Sequence, residues 1–347
     1  MLSVVILVHN KLELTRRCLS ALAGAVAEID HEILCVDNAS TEGVGSLQDA
    51  ADAFQSFRFI RNEQNLSFSI ANNRAVAAAT GSTLLFLNND VLAAPGSVRA
   101  LMEAVSGDSR NGIAGTKLVY PSGKVQHAGI VQMLWGYVSN YGVGGDAEDR
   151  RFQQPCERFA VTGAMTCVPR RVFEAIQGFD ERYRWGYEDV DLCLKIRKAG
   201  LRVLYIPGAE SIHEESATLS RLRKPIDLDH NYSIFRTTWH EELRRHEQAY
   251  IDKLQTNGVR RVVIFGTGQA ALGLSRILAE SGIEIVAFAS SRTAGPDSFC
   301  GRPAVSVESL GVLQFDRLIV ASQYYFEFEK SIERYDPAGS PIFPAVN

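Results

Sequence analysis

Three carboxylates follow an aromatic cluster in "YRWGYEDVDLCLKIRKAG", residues 183–200: Glu188, Asp189 and Asp191. Acids this close can take a proton from an attacking hydroxyl, or merely cap and solvate the start of a helix. Periodicity leaves the local shape open. Val190, Leu192, Leu194 and Ile196 alternate with polar or smaller residues, which suits a strand. The charge order favours a helix over 188–199. Acids stand at its start, Lys195, Arg197 and Lys198 at its end, and Gly200 follows as a C-cap.

Two further groups could do chemistry. Asn88-Asn89-Asp90 follows the apolar run "LLFL", so Asp90 should stand at a strand end, where a carboxylate can hold a hard divalent cation or simply form a turn. His213, in "ESIHEES", follows another strand-like run and is a second candidate ligand, with a surface or packing role as the alternative. A cation shared by Asp90, His213 and a diphosphate would neutralise charge on a departing nucleoside diphosphate.

The elements that must position these residues alternate in type. "SVVILVH", "HEILCVDNAS", "FRFIRN" and "STLLFLNND" read as strands. "LELTRRCLSALAGAV" and "SFSIANNRAVAAATG" read as helices between them. This pattern predicts a largely parallel sheet between helices, with ligands at the carboxyl ends of the strands. His9-Asn10, Asp37-Asn38 and Asn88-Asn89-Asp90 should then share one edge. "AGTKLVYPSGKVQHAGIVQ" reads as paired strands and the Gly-rich stretch 141–151 as a mobile loop.

The chain has 347 residues, enough for two domains, and 46% hydrophobic residues supply a sizeable core. A formal net charge of −4 gives no general attraction to nucleic acid. Six cysteines show no metal spacing, and Cys35 and Cys193 fall in apolar segments, so a reducing cytoplasm is the expected setting. No apolar run approaches the length of a membrane span, so the protein is expected to be soluble or at most peripheral to a membrane.

Taken together, "SVVILVHN", "VDNAS", "NLSFSIANNRA", "LFLNND", "TGAMTCVPRRVFEAIQGFDERY", "YEDVDLCLKIRKAG" and "HEESAT" resemble, in this order, the family 2 glycosyltransferases of the GT-A fold, in their rhamnosyltransferase-like branch. The resemblance covers roughly residues 3–220. It implies an inverting transfer of a sugar from a nucleoside diphosphate sugar to a saccharide or lipid-linked saccharide in surface polysaccharide biosynthesis. It makes Asp90 and His213 ligands to Mn²⁺ or Mg²⁺, with Asn88 on the donor side where an acid often stands. It makes Asp189 the general base, with Glu188 orienting either the acceptor or Asp189. His9, Asp37, Asn38, Asn72 and Arg74 fall where the nucleotide is held. Trp185 and Tyr187 would then stack on an acceptor sugar or pack in the core, and Asp191 would stand on the acceptor side or support the helix start. Leu7, Ser67 and His9 depart from the usual residues, which bears on base recognition. No Q-x-x-R-W motif is present, which argues against a processive polymerase.

The remainder reads as a charged helical connector over 222–257 and a small Rossmann-like domain over 258–347, beyond a transferase domain of 1–221. In "VVIFGTGQAALGL", Gly266, Gly268 and Ala271 satisfy G-x-G-x-x-A between a strand and a helix, marking a second nucleotide site. The next strand ends in Ser290-Ser291-Arg292, without a ribose-binding acid. An oxidoreductase, a nucleotide-sugar sensor, a homodimer-forming module and a purely structural α/β appendage are the alternatives for this part. The basic runs 221–224 and 244–246 suit either an anionic membrane surface or a solvated helix face.

Overall fold

The computed structural model describes residues 1–41, 43–134, 136–214, 225–291 and 298–346. The basic run 221–224, most of "HEESAT" and Arg292 lie outside them. The chain divides into two compact units, neither a single stretch: 1–130 with 146–238, and 131–145 with 239–347.

The first unit begins with β1 (Leu2–Val8), α1 (Leu12–Val26), β2 (His31–Asn38), β3 (Phe57–Asn62), α2 (Phe68–Ala78), β4 (Thr83–Asn88), β5 (Val91–Leu92), α3 (Ser97–Ser106), β6 (Asn111–Val119) and β7 (Val125–His127). The chain then makes β8 (Ile130–Met133) and β9 (Val138–Asn140). It returns with β10 (Cys156–Glu157), β11 (Met165–Pro169), α4 (Arg170–Ala175), α5 (Glu188–Lys198) and β12 (Arg202–His213).

The main sheet has the order β10-β12-β6-β11-β4-β1-β2-β3. β4, β1, β2 and β3 run parallel, while β11 is antiparallel to both β4 and β6. β1, with nearly every residue buried, is the continuous apolar run that a parallel strand covered on both faces requires. α1 packs Cys18, Leu19, Leu22 and Val26 into the same core. Cys35, Cys167 and Cys193 are likewise buried among apolar neighbours, which pushes their thiols well above the ordinary range. The carboxyl ends of β1, β2 and β4 therefore lie side by side, as the strand alternation implies.

The acidic stretch is helical, as its charge order indicates. α5 starts after Tyr187, in the left-handed region at φ 71°, and is followed by Gly200 at φ 78°. The Gly-rich stretch 141–151 makes contacts at two points. The Tyr141 ring meets Phe326 edge-on at 5.0 Å. Further on, buried Lys117 donates to the Ala147 carbonyl at 3.2 Å.

α6 (Pro225–Thr256) kinks at Trp239 (φ −111°, ψ 16°), where the first unit gives way to the second. The second unit continues with β13 (Arg261–Phe265), α7 (Gln269–Ser281), β14 (Glu284–Ser290), β15 (Ser298–Phe299), β16 (Arg302–Ser306), β17 (Arg317–Val320), α8 (Tyr325–Ile332) and β18 (Ala345–Val346). Its sheet has the order β15-β16-β14-β13-β17, with β16, β14, β13 and β17 parallel. β18 pairs with β8, which also neighbours β9, making a small separate sheet. No helix among the described residues is long and apolar enough to cross a membrane.

Candidate active site

The β1 and β2 ends are tied to each other. The exposed His9 ring bonds through Nδ1 to the Asn38 carbonyl at 2.9 Å. A carbonyl only accepts, so Nδ1 carries the proton and Nε2 presents a lone pair when the ring is neutral. Asn10 receives the Thr41 amide on Oδ1 at 2.8 Å, and its own amide donates to Ser40 Oγ at 2.8 Å. Asp37 and Asn38 serve the loop itself. Fully buried Asp37 accepts from the Ser40 amide and pairs with Arg61. Asn38 donates to Asn65 Oδ1 and the Leu66 carbonyl, and accepts from Asn62 Nδ2 and the Leu66 amide. Those four bonds exhaust its amide. The half-exposed guanidinium of Arg61, for which the sequence carries no motif, is the cation that this loop presents.

On α2, Asn72 is buried and donates to the Phe68 carbonyl one turn back, whereas Arg74 stands on the exposed face. Their neighbour Asn73 makes the long-range contacts. It donates to the Phe179 carbonyl at 2.9 Å and accepts from the Phe179 amide at 3.0 Å, pinning the segment that leads to α5. Gly178 sits at φ 62°, and a Cβ there would lie 2.6 Å from Asn73 Oδ1.

Asp90 and His213, 123 residues apart, are brought together because β5 pairs antiparallel with the end of β12, placing Val91 opposite His213. His213 Nε2 lies 3.1 Å from Asp90 Oδ1, and its Nδ1 lies 2.7 Å from Gln126 Oε1. Because the Gln126 oxygen accepts, Nδ1 carries a proton and Nε2 of the neutral ring faces a carboxylate with its lone pair. Two acceptors in that position need a proton or a metal cation between them. One carboxylate and one oriented imidazole fit a divalent cation that takes its other ligands from phosphate oxygens and water. Among the described residues no third His, Cys, Asp or Glu completes a protein-only metal cage. Asn88 contributes its backbone here, its amide donating to the Ala164 carbonyl at 2.8 Å.

That carbonyl belongs to the turn that holds the acids. The Gly163 amide donates to Asp189 Oδ2 at 3.0 Å, and the Val190 amide to Oδ1 at 2.8 Å. The Thr162–Ala164 backbone thus has Asp189 bonded at Gly163 and the strand end carrying Asn88 and Asp90 bonded at Ala164. A Cβ on Gly163 would lie 3.4 Å from that of Asp189, an ordinary contact distance, so the turn packs directly against the acid. Asp189 keeps one side open to solvent, yet its surroundings are mostly protein, and burial pushes its carboxyl up against the opposing pull of those amides. Glu188, 9% exposed, is pushed up to about 8 by burial and by the negative charge of Asp189. Its Oε2 is buried with no hydrogen-bond partner among the described residues. The negative charge of Asp189 beside buried Glu188 disfavours ionisation of both carboxyls at once.

Trp185 is half-buried. The Tyr187 ring lies against Phe235, with centroids 5.0 Å apart, and against Tyr232 at 5.9 Å. Asp191 is buried inside the helix start and accepts from the Tyr183 hydroxyl at 3.3 Å, which places it in support of the acids. In the second unit Gly266 has φ 124°, and a Cβ there would lie 3.3 Å from the Ala321 carbonyl, so the turn after β13 needs glycine. Gly268 caps α7 with open space around it, and Ala271 packs into the core.

Comparison with known proteins bears on the family and the fold. The profile of glycosyl transferase family 2 matches residues 3–176, that of the N-terminal domain of galactosyltransferase residues 147–217, and that of a C2185-like N-terminal domain residues 258–342. An O-antigen biosynthesis protein, RfbC, of Myxococcus xanthus is 32% identical over 62% of this chain. The N-acetylglucosaminyl-diphospho-decaprenol L-rhamnosyltransferase of Mycobacterium tuberculosis is 29% identical over 54% of this chain and 68% of its own length. The chain spans 17% of the length of the first of these and 25% of an uncharacterized Sinorhizobium fredii relative that is 29% identical over 63% of this chain. Among solved structures, GalNAc-T7 with UDP, GalNAc and Mn²⁺ aligns over 82% of this chain and 55% of its own (TM-score 0.54, 15% identity). The mannosyltransferase PcManGT of Pyrobaculum calidifontis with GDP-Man and Mn²⁺ aligns over 81% and 80% (TM-score 0.51, 16% identity). The first unit has the GT-A fold, and the chain belongs to glycosyltransferase family 2.

Proposed function

We propose that the chain transfers a sugar from a nucleoside diphosphate sugar to a saccharide or lipid-linked saccharide acceptor in surface polysaccharide assembly, with inversion at the anomeric carbon. The observation that carries this reading is the division of the site about the Thr162–Ala164 backbone. Asp189, with raised proton affinity, lies on one flank, and the Asp90–His213 pair follows the strand end on the other. In the transfer the acceptor oxygen forms a bond to the anomeric carbon, Asp189 takes the hydroxyl proton, and the bond to the diphosphate breaks. Asp90 and His213 would hold Mn²⁺ or Mg²⁺, which when bound supplies positive charge to the departing diphosphate. Bound Mn²⁺ in two structures of the same fold supports this choice of ion. His9 and the loop built by Asp37, Asn38 and Arg61 would shape the nucleotide end, and Trp185 the acceptor end.

For the second unit, four parallel strands in the order β16-β14-β13-β17 and the glycine-dependent turn at Gly266 support a Rossmann-like nucleotide-binding or assembly role.

The test is a ligand-stabilisation panel of UDP-, dTDP- and GDP-sugars with Mn²⁺, and NADH and NADPH as rivals, on the wild type and Asp90→Ala. A donor at roughly 100 times its dissociation constant stabilises the fold by about 2.7 kcal/mol. The expected result is metal-dependent stabilisation by one nucleotide class, lost in Asp90→Ala. A response to nicotinamide cofactors alone, indifferent to metal and to Asp90, would move the activity to the second unit. Anomeric NMR of the product decides the stereochemistry.

A further inference from the structure

We propose that Asn231, on α6 and outside every recognisable sequence motif, is the positioning residue for the two acids. The inference rests on the reading of Asp189 as general base. Asn231 is fully buried, and its amide is spent on three consecutive backbone positions just before α5. Its Oδ1 accepts from the Arg184 amide at 3.1 Å, and its Nδ2 donates to the Trp185 carbonyl at 2.5 Å and the Gly186 carbonyl at 2.9 Å.

The turn beyond these three positions needs such a hold. Gly186 and Tyr187 are both left-handed, at φ 89° and 71°. Glycine adopts this region freely, but a tyrosine does so only when its surroundings hold it there. Asn231 fixes the backbone entering the turn, and Phe235, one helical turn further along α6, meets the Tyr187 ring. The Tyr187 carbonyl then accepts from the Asp191 amide at 2.9 Å, opening α5. Glu188 and Asp189 are the next two residues, so their side chains leave the backbone in directions set by this turn. A released turn can relax toward a right-handed conformation at Tyr187, which would swing both acids away from the 162–164 backbone. Misplacement of about 1 Å at a reacting group can cost on the order of 10²-fold in rate.

The experiment compares full-length wild type, Asn231→Ala and Val98→Ala, the last a buried aliphatic position on α3 that serves as the stability control. Three quantities are read: donor affinity with Mn²⁺, the transfer rate at saturating donor and acceptor, and hydrogen exchange of amides 184–190. In Asn231→Ala the expected result is donor affinity within twofold of wild type, a rate lower by on the order of 10²-fold, and faster exchange confined to 184–190. Val98→Ala should show none of the three at an equal loss of thermal stability. A rate and exchange pattern matching Val98→Ala would reduce Asn231 to a structural residue and overturn the proposal. Should the alanine variant fail to fold, Asn231→Ser carries the same measurements. A wild type that transfers no sugar from any donor sinks the functional reading. The exchange data then still decide, on their own, whether Asn231 holds the turn.

Discussion

Glu188 offers a test of the site that needs neither donor nor acceptor. Its carboxyl is pushed from an ordinary 4.5 to about 8 by burial and by Asp189. Between those values the folded protein keeps a proton that the unfolded chain has released. Stability from this source is therefore complete below pH 4.5 and declines as pH rises through about 8. The full slope is about 1.4 kcal/mol per pH unit for one proton. Allowing for half-ionisation near pH 8, the loss from pH 6 to pH 8 is about 2 kcal/mol. Glu188→Gln has no such proton. It adds a pH-independent cost, since one amide atom replaces the partnerless Oε2, but it should remove the Glu188 share of the slope and leave only that of Asp189. The assay is urea unfolding of both proteins at half-unit steps from pH 5.5 to 8.5. The wild type should lose about 2 kcal/mol relative to the variant across pH 6–8. Parallel curves would show that Glu188 titrates normally, and the account of a buried, mutually repelling acid pair would fail.

The same geometry sets three further outcomes. Asp189→Asn should lower transfer by about 10²–10⁴-fold with donor affinity unchanged; in the wild type the acid limb of the pH–rate profile should lie above the ordinary carboxylate range, because Asp189 is raised and acts ionised. Gln126→Leu removes the acceptor that orients His213 and should weaken Mn²⁺ binding by about 10–100-fold in a paramagnetic titration, with the fold retained. Gly178→Ala must place a Cβ near Asn73 and Phe173 at φ 62°, and should cost about 1–3 kcal/mol in denaturant unfolding.

Much of the first unit was legible because its signals are local or derive from parallel-sheet geometry. The apolar run of β1 and the strand–helix alternation place His9, Asp37 and Asn88 at one edge before any contact is known. The charge order over 188–200 identifies a helix where alternating Val190, Leu192, Leu194 and Ile196 suggest a strand. What stayed hidden depends on pairing across the chain. In "ANNR", nothing local tells that Asn73 reaches Phe179 while Asn72 turns back to Phe68 and Arg74 faces out. Asn38 carries the look of a ligand contact, yet its amide is consumed by residues 62–66. Gln126 and Asn231 had no signal at all, since their importance lies in partners 87 and 45–47 residues away.

The pairing of β8 with β18 sets a schedule for synthesis. Gln132 and Met133 emerge early, but their partners Val346 and Ala345 are made more than two hundred residues later. At roughly 5–20 residues per second, that edge waits about 10–40 s on the ribosome. Throughout that interval Met133 and Leu134, buried in the finished protein, lack the second-unit residues that cover them. The nascent chain therefore carries the unpaired edge of β8 open to chaperones and to misdirected strand pairing until translation has reached the second unit's last strand.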